Sequence, residues 1–395
     1  MNQSAEIAAW AESGAMALTG RPDGPPQLVA GAPATAVRNA LNALASTASA
    51  AGLDPTRLPD ERLLGERAAV MGLRRRGSVS AGGATRLLPS ADGTVAVSLS
   101  RADDLAAVPA LVSRDALTDE PWPALATWCR ERSSEEIVER TTLLGLAAGA
   151  VDAALPAEPN VLGVSRGVEG PKRLGSARPP RVVDLSSLWA GPLCAHLLAL
   201  LGAEVVHVES TQRPDPTREV APGFHRLLRS GIDQIRIDFK APDDLRRLHD
   251  LLLGSDIVIE ASRPRALAQL GIDAHAIAAE SGHCTWVSIT AYGRQSHRIG
   301  FGDDVAAAAG LLGDGPVFAA DAIADPMTGT HAARTALSGW IGDNSGVIDI
   351  SMYDVVRAAR TPLPAAEVVS RDGSWYVDDG SELTAVRLPV PRSAA

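Results

Sequence analysis

Residues Arg181 to Ser210 read RVVDLSSLWAGPLCAHLLALLGAEVVHVES, and this stretch lays out a complete strand–helix–strand unit. A short apolar strand, Arg181 to Leu185, runs into the polar turn Ser186-Ser187, and a helix opens near Ala190-Gly191-Pro192. Beyond Gly202 a second strand, Glu204 to Val208, stops on Glu209. Pro192 suits a first helical turn, where its missing N–H costs nothing, and Gly202 suits the far end. The first strand therefore delivers a turn and a helix N-terminus at its carboxyl end. Open α/β sheets bind ligands there, and free backbone N–H groups favour anions. A nicotinamide site would place G-x-G-x-x-G in that turn to bring backbone against the pyrophosphate. Leu188 and Trp189 occupy it instead, so the reading turns away from NAD.

Outward from this unit the alternation continues. Strands are predicted over Ile235 to Asp238, Asp256 to Glu260 and Trp286 to Thr290, with a helix over Asp243 to Leu253 and another before Trp286. That pattern predicts an α/β fold with a mostly parallel, doubly wound sheet. Upstream lie helices at Ala36–Ala51 and Asp60–Leu73, a basic loop at Arg74–Gly83, and two strands, Ala84–Leu88 and Val95–Leu99, joined through Asp92-Gly93. Helices follow at Asp103–Val112, Trp122–Arg132 and Ser133–Leu144, the last with a serine N-cap and Glu135-Glu136 in its first turn. The elements over 61–154 are expected to form a smaller α+β domain. Residues 155–180, rich in Pro, Gly and basic side chains, read as a linker.

With 395 residues and 46% apolar side chains the chain can bury a large core. A net charge of −10 argues against nucleic-acid or membrane-surface partners, which need clustered Lys and Arg. Cys129, Cys194 and Cys284 are far apart, with no C-x-x-C spacing, so neither a disulfide framework nor a metal site is expected. Cys194, on the helix after the Gly-Pro turn, reads as a small core residue. The start MNQSAEIAAWAESG lacks a basic stretch and a long apolar run, so no signal peptide and a cytoplasmic location are expected.

The opening segment resembles the entry motif of the family III CoA-transferases, the CaiB/BaiF type that includes formyl-CoA transferase, carnitine CoA-transferase and α-methylacyl-CoA racemase. The match comprises Asp184-Leu185-Ser186, Ala190-Gly191-Pro192 and Gly202 to Glu209. His207 stands where the family commonly has Lys or Arg, which weakens one cationic contact to phosphate. The resemblance implies a family III-like fold with a Rossmann-like CoA-binding large domain over 181–395, a homodimer, and CoA or acyl-CoA as substrate with no metal. The implied CoA contacts are Ser186, Leu188, Trp189, Ala190, Gly191, Pro192, His207 and Glu209, with Asp238 and Lys240 from IDFK and Arg263 from EASRPRALAQLGID. Lys240 and Arg263 read equally well as solvated loop ends. Arg213 and Arg218 are further phosphate candidates, whereas Arg74-Arg75-Arg76 reads as a solvated loop.

Segment order departs from the family. Residues 61–154 resemble the small domain that family members carry late in the chain, yet here they come first. Residues 1–60 resemble a mid-chain part of the large domain: SGAMALTGRPDGPP has a weaker counterpart in AGLLGDGP at Ala309–Pro316. The order reads as a circular permutation or a fused half, the alternative being chance self-similarity of Ala-rich sequence.

Asp325, in DAIADPMTGTHAARTAL, is the expected nucleophile. The segment resembles the family's D-x-x-[TS]-G-x-x-A-A, matched by Asp325, Thr328, Gly329, Ala332 and Ala333, with the helix expected to start near Met327. A carboxylate can attack a thioester carbonyl and split one hard transfer into easier steps. Asp325 could equally cap that helix. The earlier segment GAPATAVRNAL has no acid at the matching place. Asp303 and Asp304 read as a helix N-terminal pair or as further acids of the site. Where family racemases carry a histidine this chain has Phe301 or Gly302, so the acid/base pair needed for racemisation is incomplete. His297 and His331 are the nearby imidazoles, and each also reads as an ordinary surface histidine. The leading reading is a transferase moving CoA between an acyl-CoA and a free carboxylic acid, both small-molecule partners, through an aspartyl anhydride and thioester. An acyl-CoA racemase or a non-catalytic acyl-CoA-binding homologue stay open beside it.

Overall fold

The computed structural model describes residues 3–113, 120–152, 154, 178–262, 264–342 and 345–392. Most of the expected linker, residues 155–177, and Arg263 lie outside the described residues.

The centre is a six-stranded parallel sheet: β1 Arg181–Asp184, β2 Glu204–Ser210, β3 Asp233–Ile237, β4 Ile257–Glu260, β5 Thr285–Thr290 and β6 Gly346–Ser351. Their order across the sheet is β6-β5-β4-β1-β2-β3, with every pairing parallel. The winding reverses between β1 and β4. At such a switch point the loops leaving the strands diverge to the two faces and open a crevice at the carboxyl ends.

Strand residues alternate between two cores, as a sheet covered on both faces requires. Val182, Ile257, Ile259, Val287, Ile289 and Ile348 enter the larger core. Val183, Val258, Trp286 and Val347 enter the other. The first core is closed by three helices, α1 Pro33–Ala50, α2 Ala190–Leu200 and, later in the chain, Ala324–Ile341. The second face is closed by α3 Pro242–Leu253 and α4 Ala274–Ser281. Helix α2 lies so deep that every residue except Ala199 is buried. The Cys194 thiol on it is pushed well above its ordinary pKa by burial, as befits a packing residue.

The helix carrying Asp325 begins earlier than its sequence suggests. After α5, Gly302–Ala308, comes α6, Ala324–Ile341, so Asp325 lies in the first turn rather than ahead of it. Helix α6 crosses α2 closely because Gly329 has no side chain. A Cβ there would sit 2.6 Å from the Ala190 carbonyl oxygen and 3.0 Å from the Leu193 side chain. Gly329→Ala gains about 1 kcal/mol of helix propensity but must push a backbone carbonyl aside, at a cost of about 1–3 kcal/mol. A net loss of stability is expected, read as a lower urea midpoint at unchanged slope.

Upstream, Thr85–Pro89, Thr94–Ser98 and Ala147–Ala150 form an antiparallel sheet. With helices Ala102–Leu111, Pro121–Arg130 and Ser134–Leu143 it encloses a separate core around Val95, Val97, Leu111, Leu125 and Ile137. Ser133 caps the last helix as expected, accepting from the Glu136 N–H. Elements not expected from the sequence include β6, the strand Ala147–Ala150, the helix Pro222–Arg229, and a C-terminal antiparallel sheet formed by Glu367–Arg371, Ser374–Asp378 and Leu383–Ala385. The strap after that sheet returns to the N-terminal segment, where the Arg387 N–H donates to the Ala11 carbonyl (2.9 Å) and Arg392 pairs with buried Glu66.

Candidate active site

A cavity of about 330 Å³ opens at the carboxyl ends of β1, β4 and β5, on the switch point. Its walls include Ser187, Leu188, Ala190 and Gly191 from the β1–α2 turn, and Ala261 and Ser262 after β4. Arg294, His297, Arg298 and Phe301 line it from the loop after β5, and Asp325 from α6. Arg101, from the upstream unit, completes the rim.

Asp325 accepts a long hydrogen bond from the Ala190 N–H, 3.3 Å to Oδ1. The carboxylate thus faces the N-terminus of α2, where unpaired N–H groups are concentrated. Burial raises its pKa to about 7; Asp303 and Asp321 add to the rise, while Arg67 and the Ala190 N–H oppose it. Gly302 lies directly against this carboxylate, and a Cβ there would collide with Asp325 Oδ2 and the Ala322 carbonyl.

The backbone leading into α6 is strained. Ala320 and Ala322 have φ of 54° and 42°, in the left-handed region that disfavours a Cβ. Three groups hold it there. Thr19 Oγ1 accepts from the Ala320 N–H (2.8 Å), Asp303 Oδ1 from the Ala322 N–H (2.8 Å), and Arg67 grips Asp321 with two hydrogen bonds of 2.6 and 2.8 Å. Arg67, 24% exposed, stacks 5.0 Å from the Trp189 ring centroid. Burial works against its charge, but Asp321, with Asp303 and Asp325 beyond, turns the shift upward. One guanidinium therefore serves three buried acids.

Asp303 and Asp304 diverge in role. Asp304 Oδ1 accepts from the Phe301 N–H (2.9 Å) and the Ser98 hydroxyl (2.8 Å), closing the N-terminus of α5. Asp303 holds the approach to Asp325 instead. Burial raises both acids, Asp304 to about 7.

The other sequence candidates divide by position. Leu188, Ala190 and Gly191 border the cavity, whereas Ser186, Trp189, Pro192, His207, Glu209, Asp238 and Lys240 are not among its walls. Trp189 is buried, with its ring edge-on to Phe224 at 5.1 Å between centroids. Ser186 and His207 are buried on Asp184, which also pairs with Arg229. Burial works against the Asp184 charge, yet Arg229 and His207 hold its pKa well below the usual carboxylate range. Glu209 is buried as an anchor, accepting from the Asp215 N–H (2.8 Å) and Arg218 Nε (2.9 Å). Arg218, read as a phosphate candidate, is thereby turned to Glu209 and to Gln234 (2.6 Å). Asp238 accepts from Gln212 and the Lys240 N–H at an exposed turn. His331 is withdrawn from the cavity and burial lowers its pKa to about 4. Arg75 of the triple arginine bonds the Ala17, Arg21 and Gly24 carbonyls and so ties down the N-terminal hairpin.

The polar cluster behind the β1–α2 turn fixes that turn. Leu188 has φ of 72°, and its N–H points at Asp215, 3.3 Å from Oδ2. Asp215 in turn receives Arg229 (3.4 Å) and the Thr217 hydroxyl (2.7 Å).

Residues 180–373, which include the β1–α2 turn and Asp325, match CoA-transferase family III. Over that segment, just under half of its length, the chain is similar to the proteins of that family. Its curated relatives in that family include succinyl-CoA–D-citramalate CoA-transferase of Chloroflexus aurantiacus, 30% identical over 254 residues, covering 52% of this chain and 63% of the relative. Succinyl-CoA:glutarate CoA-transferase of Mus musculus is 29% identical over 203 residues, covering 44% and 46% respectively. The chain thus spans less than two thirds of the length of each. A solved CAIB/BAIF family protein from Brucella suis aligns over 50% of this chain and 64% of its own, at 22% identity and a TM-score of 0.46. The family III segment carries every cavity residue named above except Arg101. Arg67, Thr19 and Arg101 come from the N-terminal third. Among the described residues no group of His, Cys, Asp and Glu is arranged to hold a metal ion, and no helix is long and apolar enough to cross a membrane.

Proposed function

We propose that this chain moves coenzyme A between an acyl-CoA thioester and a free carboxylic acid, with Asp325 as the covalent nucleophile. One observation carries the reading: a buried carboxylate borders the sheet-end cavity and faces the first N–H of α2.

In this reading an Asp325 oxygen attacks the thioester carbonyl and CoA leaves as thiolate, giving a mixed anhydride. The thiolate then attacks the Asp325 carbonyl, frees the donor acid and leaves an aspartyl–CoA thioester. The acceptor carboxylate attacks that thioester, and the returning thiolate takes the new acyl group and restores the Asp325 carboxylate. Charge develops on the aspartyl oxygen in the middle steps. The Ala190 N–H already directed at that oxygen is placed to follow it, and such donors are worth about 3 kcal/mol each. Gly302, having no side chain, lets the start of α5 pack directly against this carboxylate. The β1–α2 turn, held by Asp215, would receive the coenzyme, with Leu188, Ala190 and Gly191 as its contacts. Residues 1–60 and 61–154 are read as permuted family segments. In support, α1 and α6 are equal in length at 18 residues, pack together, and only α6 carries the acid. A homodimer is the proposed assembly.

The test is direct. Incubation with an acyl-CoA is expected to yield a peptide containing residue 325 that carries CoA by mass spectrometry and loses it to hydroxylamine. Labelling elsewhere, or none with acyl exchange still running, would overturn the assignment. Loss of α-deuterium from a 2-methylacyl-CoA without exchange would select the racemase instead.

A further inference from the structure

Three arginines border the Asp325 cavity, and their commitments differ. Arg101 is paired with buried Asp104 and donates to the Gly145 carbonyl (2.9 Å). Arg294 is paired with buried Glu260 (2.6 Å) and donates to the Ser288 hydroxyl (2.7 Å). Arg298 has no carboxylate within ion-pair distance among the described residues. It donates through Nη2 to the Ala148 carbonyl (3.1 Å) and stacks with Cζ 3.6 Å from the Tyr292 ring centroid, while its buried Nε has no hydrogen-bond partner. Tyr292 is itself backed by Tyr353, 5.7 Å between centroids.

The aromatic face and one carbonyl fix the plane of this guanidinium, and its remaining N–H groups keep their capacity. A planar fork held in one orientation is suited to bidentate binding of a carboxylate. A cation drawn partly out of water without a counter-ion is costly, so the cavity is electrostatically incomplete as it stands. A ligand whose reacting carbon reaches Asp325 and whose far end bears a negative charge would complete it.

Resting on the transferase reading above, we propose that the acids exchanged here are short dicarboxylates, one carboxyl reacting at Asp325 and the other bound by Arg298. Arg298 then sets specificity. A site built to pair a substrate charge rejects the analogue lacking it, because its own polar group is left unpaired. Monocarboxylates of equal length leave Arg298 without its partner and are poor substrates.

The experiment compares CoA exchange for glutarate and valerate, and for succinyl-CoA and butyryl-CoA, in the full chain and in Arg298→Gln and Arg298→Lys. The wild-type protein is expected to favour the diacid in kcat/KM by about 100-fold or more. Arg298→Gln should lower the diacid-to-monoacid ratio by about 100-fold, chiefly through KM for the diacid, and Arg298→Lys should restore part of it. Equal use of both acid classes by the wild-type protein would overturn the proposal. So would an Arg298→Gln defect equal for both classes, which marks a structural role, or one in CoA affinity alone, which marks Arg298 as a contact to the coenzyme phosphates. Absence of exchange with every pair, with no adduct on Asp325, would defeat the transferase reading itself.

Discussion

Asp325→Asn is expected to abolish acyl exchange, lowering kcat/KM by about 10³-fold or more, while CoA affinity changes by less than about threefold. The substitution keeps the side chain's shape and an oxygen for the Ala190 N–H, so the β1–α2 turn keeps its partner. What disappears is the anionic oxygen that attacks the thioester carbon in the proposed reaction. Stability should hold or rise, because the buried carboxylate is opposed by desolvation and by Asp303 and Asp321. Turnover within tenfold of the wild-type protein would remove Asp325 from the mechanism. In the wild-type protein kcat/KM should climb with pH through about 7, the value to which burial raises this acid, since the proposed nucleophile is its ionised form. For stability the sign is opposite. A carboxyl raised in the folded state binds its proton more tightly there, so its contribution is full below the ordinary carboxylate range and is lost as pH rises toward 7. Asp304, also raised to about 7, acts in the same direction.

The second large effect is expected from Arg67→Met. The guanidinium grips Asp321 and its charge reaches Asp303 and Asp325, so its loss leaves buried carboxylates without their cation. Breaking a buried pair by removing one partner costs about 3–5 kcal/mol, and the lower end applies because Arg67 is 24% exposed. The left-handed turn at Ala320–Ala322 loses one of its three anchors at the same time. The double variant Arg67→Met/Asp321→Asn should recover about half of that loss or more, because it removes both charges together. With Arg67 gone the larger of the two influences that lower the Asp325 pKa is gone, so the rise of kcat/KM must move to higher pH. Equal unfolding free energies for the wild-type protein and the single variant, or an unmoved pH profile, would show that Arg67 does not support the site.

Much of this was legible in residues 181–333. Local apolar runs, a Gly-Pro helix start and alternating strand and helix segments set the doubly wound sheet, and the D-x-x-T-G pattern singled out Asp325. What stayed hidden had no local signature. Arg67 reaches Asp321 across 254 positions, and Thr19 reaches Ala320 across 301. No spacing rule connects such residues; only the packing of α1 on α6 brings their segments together. Residues that resembled coenzyme contacts, such as His207 and Glu209, sit along β2 where the chain also needs internal anchors, and the same polar side chain suits both uses. Arg298 has no local signature at all, because its lack of a carboxylate partner among the described residues is a property of three dimensions.

Gly302 has a consequence for how this protein could change over evolutionary time. Of the two positions that align with the racemase histidine, Phe301 lines the cavity, whereas the Cβ position of Gly302 is filled by Asp325 Oδ2 and the Ala322 carbonyl oxygen, so a proton-transfer partner at 302 is sterically closed in a single step. A lineage placing one there would first have to displace the chain before Asp325, and with it the Thr19, Asp303 and Arg67 anchors. Under the proposed reaction, position 302 therefore resists change, and innovation is channelled into the cavity wall instead.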